Sequence, residues 1–157
     1  MNHPSASPHT LEIDRVLKAP PASIWRCWTE PELLMQWFCP RPWKVIEAEI
    51  DLRVGGAGNF TMQGPNGETV PNKGVYLAIE ENRRLVFTDA FRAGWLPSEK
   101  PFMVGEILLS QTPENFTRYI ARAHHWSAQD METHRNMGFE TGWNAAADQL
   151  EELARKL

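Results

Sequence analysis

The chain's 157 residues fit one domain of ordinary size, large enough to bury a core without a disulfide or metal staple. A net charge of −4 with scattered arginines disfavours nucleic acid, which needs a basic face, and no apolar run approaches the ~20 residues of a membrane span. Two cysteines without a signal-peptide pattern point to a reduced, cytoplasmic protein.

The opening MNHPSASPH is polar and proline-containing, which predicts a disordered tail over residues 1–9 and a single folded domain over 10–157. Leu11, Ile13 and Leu17 then alternate with Glu12, Asp14 and Lys18, the pattern of a half-buried strand. Pro20-Pro21 ends it and opens a short helix, with Ile24, Trp25 and Trp28 on one face. Thr29-Glu30-Pro31-Glu32 carries a capping pattern for a second short helix, whose apolar side is Leu33, Leu34 and Trp37. Strands follow over 43–52, with Ile46, Ala48 and Ile50 on one face, and from Gly55-Gly56 through Phe60 and Met62. After the Gly64-Pro65-Asn66-Gly67 turn, two hairpins are predicted. Strands 74–80 and 84–90 pair across Glu81-Asn82-Arg83, and 102–111 and 115–125 pair across Thr112-Pro113-Glu114.

The segment 127–157 reads as one long helix. Ser127 suits its N-cap, Asp130 its first turn, and Phe139, Trp143, Ala146, Leu150, Leu153 and Leu157 form a single apolar stripe with Trp143 near its centre. Gly138 and Gly142 lie one turn apart and mark close approach or empty space. The order β-α-α-β6-α predicts an α+β fold in which one long helix covers one curved antiparallel sheet.

Several stretches, in this order, carry a resemblance. They are Ala19-Pro20-Pro21 with Ile24-Trp25, Trp28-Thr29-Glu30-Pro31-Glu32-Leu33 with Gln36-Trp37, and Asp51-Leu52-Arg53 with Gly55-Gly56. The 74–91 hairpin with Arg84-Leu85-Val86-Phe87-Thr88 follows, then Met137-Gly138-Phe139 with Gly142-Trp143 and Asp148-Gln149-Leu150. Over roughly residues 10–157 the chain resembles the START-like (SRPBCC) superfamily of polyketide cyclases, dehydrases and lipid-transport proteins. Within it, the chain is similar to the branch named after the activator of the heat-shock-protein-90 ATPase. The resemblance implies a helix-grip (Bet v 1-like) fold with a cavity between sheet and helix. The eukaryotic founder stimulates a chaperone ATPase, but there the similar domain is attached to a further chaperone-binding domain, for which 157 residues are expected to leave no room. Co-chaperone activity is therefore not carried over, and fold kinship alone does not assign function.

Strand parity locates the interior. Over 115–125, Arg118 and Arg122 share a face with Phe116, Ile120 and His124, so Tyr119, Ala121, Ala123 and His125 face the grip. The alanines either leave volume there or accommodate bulky helix residues. The expected cavity walls are Ile24, Trp28, Phe60, Met62, Phe87, Tyr119, Ala121, Ala123, His125, Phe139 and Trp143. Seven tryptophans suit either a filled core or such a cavity.

Acid–base candidates are Asp89, Tyr119, His125 and His134. The resembling branch often has a His-Trp step and then a His before its Met-Gly-Phe, which here are His125-Trp126 and His134. These imidazoles either bind a polar ligand group or form a hydrogen-bonded corner between helix and sheet. Asp89 is either a desolvated carboxylate or a loop cap. A metal site is disfavoured, because His124 and His125 point to opposite faces of a strand and no paired metal-ligand spacing exists; no cofactor is expected. Cys27 and Cys39 show no activating base. Trp95, on the long 91–101 loop, covers an apolar opening, packs at the sheet edge or forms a homodimer contact. The expected function is binding of a small hydrophobic or aromatic ligand. The alternatives are a cyclase or dehydrase using the same cavity, and a protein-binding adaptor or chaperone cofactor.

Overall fold

Alternating apolar and charged residues deliver the first strand, β1 (Thr10–Leu17). Pro20 and Pro21 follow, and the prolines' missing N–H groups fall where a helix needs none, so α1 (Pro21–Thr29) begins there and buries Ile24, Trp25, Cys27 and Trp28. A second proline-led turn, α2 (Pro31–Leu34), leads to β2 (Lys44–Ile50), β3 (Gly58–Gln63) and β4 (Thr69–Asn72). Then come β5 (Val75–Glu80) and β6 (Arg84–Thr88), and two short pieces, β7 (Phe91–Arg92) and β8 (Leu96–Pro97). The chain ends with β9 (Val104–Gln111), β10 (Thr117–His124), α3 (Ala128–Asn136) and α4 (Phe139–Ala154). The computed structural model describes residues 8–157, so most of the tail predicted over 1–9 lies outside the described residues.

The strands form an antiparallel sheet in the order β1-β10-β9-β6-β5 and a second one in the order β2-β3-β4. The two meet at a bend over residues 51–58. Single bridges join Val54 to Tyr76 and Ala57 to Val75, and Gly58 N–H donates to Gly74 O at 2.9 Å. Gly55 allows the bend, since its φ of +81° lies in the left-handed region. The Trp95 ring sits so close that a Cβ on Gly55 would lie 2.8 Å from it. Trp95 thus packs on the sheet bend, edge-on to Phe91.

The predicted parity of β10 holds. Tyr119 pairs with Leu109, Ala121 with Ile13 and Ile107, and Ala123 with Leu11 and Gly105, and the three β10 residues are buried. The opposite face carries a ladder of charge across four strands. Arg122 bonds Glu12 at 2.7 Å, and Glu106 receives Arg84 at 2.9 Å and His124 at 3.0 Å.

The helix-grip architecture and α+β class follow the expectation; three details differ. The C-terminal helix is broken at Met137-Gly138, because Gly138 takes φ +91° and ends the α3 register before α4 starts. Ser127 does cap α3, its hydroxyl accepting from Asp130 N–H at 3.1 Å. The strand β4 and the pair β7–β8 are additional to the seven predicted strands. The first is an exposed edge whose Pro71 removes a ladder donor, so its sequence does not read as a strand.

Candidate functional site

Between α4 and the bend of the sheets lies a cavity of about 520 Å³. Its first wall is aromatic because α1 turns Trp28 inward and the loop after α2 adds Trp37 and Phe38. Trp28 meets Trp37 edge-on at 4.8 Å between centroids, Phe38 at 5.8 Å and Phe87 at 5.6 Å. Phe38 in turn meets Phe60 at 5.2 Å. The facing wall comes from the helices. Phe139 lies 4.5 Å from Trp143, and His134 lies 4.7 Å from Phe102 and 5.2 Å from Phe139. Gly142 keeps that wall low: a Cβ there would meet nothing closer than Pro40, at 3.9 Å.

Few polar side chains reach this lining. Trp28 Nε1–H donates to Tyr119 Oη at 3.2 Å, which leaves the phenolic proton of Tyr119 without an acceptor among the described residues. Tyr76 is 2% exposed, and its buried hydroxyl has no partner among the described residues. Burial pushes both phenols well above the ordinary tyrosine range. Thr88 Oγ donates to Met103 O at 2.9 Å and accepts from Ala90 N–H at 3.1 Å. Asp89 accepts from Phe102 N–H at 2.9 Å and from Met103 N–H at 3.1 Å, so its carboxylate fixes the start of β9.

The two histidines form a directed pair. His125 Nδ1 lies 2.9 Å from the carbonyl of His9, which can only accept, so Nδ1 carries the proton. With its proton on Nδ1 the ring offers Nε2 as an acceptor, and His134 Nδ1 sits 2.9 Å from it. Burial first, and His125 second, lower the pKa of His134 to about 4. A neutral His134 therefore holds its proton on Nδ1 and leaves Nε2 as a bare acceptor.

The cavity brings together Trp28, Phe60, Met62, Phe87, Tyr119, Phe139 and Trp143 from the expected walls, and Asp89 and His134 from the acid–base candidates. It does not include Ile24, Ala121, Ala123 or His125. Ile24 and the two alanines sit in the packed core, so the space expected beside the alanines is filled. His125 stands behind His134. Trp95 is not part of the lining either. Cys39 lines the cavity, but burial pushes its thiol up to about 11 and that of Cys27 to about 12, so neither is a ready thiolate. Among the described residues no three metal-ligating side chains converge, and no helix is long and apolar enough to cross a membrane.

Sequence reasoning missed Tyr76, Trp37, Phe38, Phe102 and Met103 as lining residues. For Tyr76 a signal existed: it pairs across the hairpin with Phe87, an expected wall residue. Phe102 and Met103 are brought in by Asp89, a contact no local pattern announces.

Residues 18–155 match the family model described as Activator of Hsp90 ATPase homolog 1-like protein. The chain belongs to this family. As an activator-homologue-like protein it is similar to a crystallised protein from Nitrosomonas europaea, at 37% identity and a TM-score of 0.91 over 96% of this chain and 97% of that one. A Mycobacterium smegmatis protein is 25% identical with a TM-score of 0.77, covering 92% and 89% of the two chains. The fold also recurs in an AHSA1-like protein from Aeromonas hydrophila, at 15% identity and a TM-score of 0.71 over 94% and 92%. Among curated proteins, none matches this family member. Its START-like fold is compatible with ligand binding.

Proposed function

We propose that this protein binds a small, largely apolar or aromatic molecule between α4 and the sheets. The observation that supports this reading is a cavity of about 520 Å³ walled mainly by aromatic side chains from opposite sides. Burying an apolar ligand there contributes roughly 25 cal/mol for each Å² removed from water, and the rings already packed on one another lose little freedom on binding. The cyclase or dehydrase reading has less support. The Asp89 carboxylate is occupied by backbone amides, and an imidazole with a pKa of about 4 is a weak base at neutral pH. An adaptor reading goes with a collapsed cavity, and this one is open.

The test is a titration with 2-methoxynaphthalene, an uncharged aromatic probe, followed by the indole N–H resonances of the tryptophans. Trp28, Trp37 and Trp143 line the cavity and should shift, whereas Trp95 and Trp126, which are exposed and outside it, should stay in place. Ala146→Leu, which adds volume on the α4 wall, should weaken binding while the protein stays folded. Shifts confined to Trp95 and Trp126, or none at all both with this ether and with its hydroxyl counterpart 2-naphthol, would remove the reading.

A further inference from the structure

The cavity's polar atoms are few, and they are directional. His9 O fixes the proton of His125 on Nδ1, at 2.9 Å; His125 Nε2 fixes that of His134 on Nδ1, again at 2.9 Å. The order of donors and acceptors is thus set from the backbone outward, and it ends at His134 Nε2 as a lone pair. Two other lining residues have unused hydrogen-bonding capacity: Tyr76 has a buried hydroxyl without a partner, and Tyr119 a phenolic proton without an acceptor, among the described residues. A buried hydroxyl left unsatisfied costs about 1–3 kcal/mol, so such groups call for a partner.

Charge is arranged the other way. Among the described lining residues the one lysine or arginine is Lys73, and it is solvent-exposed. His134 resists becoming a cation, because burial and His125 both oppose it. No enclosed positive charge in the cavity would compensate a ligand carboxylate for lost hydration.

Resting on the binding reading above, we infer that the cavity selects an uncharged aromatic or apolar ligand bearing a hydroxyl group, which donates its hydrogen to His134 Nε2 and whose oxygen accepts from a tyrosine hydroxyl of the lining. The histidine pair is then a polarity selector: it favours an alcohol or phenol over the corresponding ether, which binds by its apolar surface but has no hydrogen to give. Buried polar groups built for a hydroxyl discriminate strongly against analogues that lack it.

Three probes on one ring system separate the outcomes at neutral pH: 2-naphthol, 2-methoxynaphthalene and 2-naphthoate. The naphthol should bind about tenfold tighter than the ether, the size of one net hydrogen bond, and the carboxylate should bind worst. In His134→Phe the preference for naphthol over the ether, read as the ratio of the two affinities, should vanish. Independently, side-chain ¹⁵N shifts of the wild-type protein should show His134 protonated on Nδ1, which decides the matter should His134→Phe not fold. Ether bound as tightly as naphthol, naphthoate bound best, or a His134 protonated on Nε2 would each overturn the inference while leaving the binding reading intact. Failure of all three probes to bind would remove the binding reading and this inference with it.

Discussion

Acidification should weaken this fold through His134 before any carboxylate is affected. The ring is 7% exposed, and burial together with His125 holds its pKa at about 4 against an ordinary 6.5. Between those values the unfolded chain takes up a proton that the folded chain refuses. A histidine kept neutral in this way contributes stability that is present in full above pH 6.5 and declines as the pH falls toward 4. At about 1.4 kcal/mol for each pH unit, the whole interval amounts to about 3 kcal/mol, a large part of a typical folding free energy. Asp14 and Glu106 act lower on the scale. Asp14 is held down by its hydrogen bond from Arg118. For Glu106, burial pushes upward and is outweighed by hydrogen bonds from His124 and Arg84. Both contributions are lost only below the ordinary carboxylate values of 3.8 and 4.5. Urea denaturation followed by tryptophan fluorescence, at steps from above pH 6.5 down to 4.5, isolates the histidine. The wild-type protein should lose stability across that window and His134→Phe should not. Parallel declines in the two proteins would refute the assignment of the effect to His134.

Tyr76→Phe should leave the ligand-free protein as stable as the parent or about 1 kcal/mol more so, since it removes a buried hydroxyl that has no partner; denaturant midpoints check this. The two helix glycines should respond oppositely in the same assay. Gly138→Ala should cost about 1 kcal/mol through its φ of +91°, whereas Gly142→Ala, in open space inside α4, should stabilise by up to about 1 kcal/mol. Trp143→Ala should cost about 2 kcal/mol, less than the roughly 3–5 of a fully buried site, because Trp143 is only partly buried and faces the cavity; Leu150→Ala, wholly enclosed, should cost more. Equal losses at the two positions would mean that Trp143 is packed on all sides.

The sheet was legible wherever one face is wet. On β10 the arginines at 118 and 122 declare the outside, and Tyr119, Ala121 and Ala123 then face in by parity alone. The apolar stripe of the last helix is similarly plain. Parity cannot say whether an inward alanine borders space or a neighbour. Ala121 and Ala123 lie beside Ile13, Ile107 and Leu11 of the flanking strands and are wholly buried in the core cluster, which depends on what the fold packs over them. The helix break at Gly138 eluded the periodicity because the apolar stripe belongs to α4 and begins only at Phe139. The sequence does suggest a meeting of His125 and His134, but the direction of their protons comes from the His9 carbonyl, a backbone atom no motif can flag.

One side chain far from the histidines ties two distant segments into a single cooperative unit. The amide of Gln149 on α4 donates to Trp37 O at 3.0 Å and Cys39 O at 2.7 Å, and its oxygen accepts from Arg41 N–H at 3.0 Å. Three main-chain groups of the loop after α2 therefore find their partners on one glutamine of the last helix. The loop has no ladder of its own, so its protection against hydrogen exchange is borrowed from α4. The Arg41 amide should exchange with deuterium at the pace of that helix's opening rather than at the pace of a surface loop. The segment that carries Trp37 and Phe38 to the cavity is, in kinetic terms, an extension of the C-terminal helix.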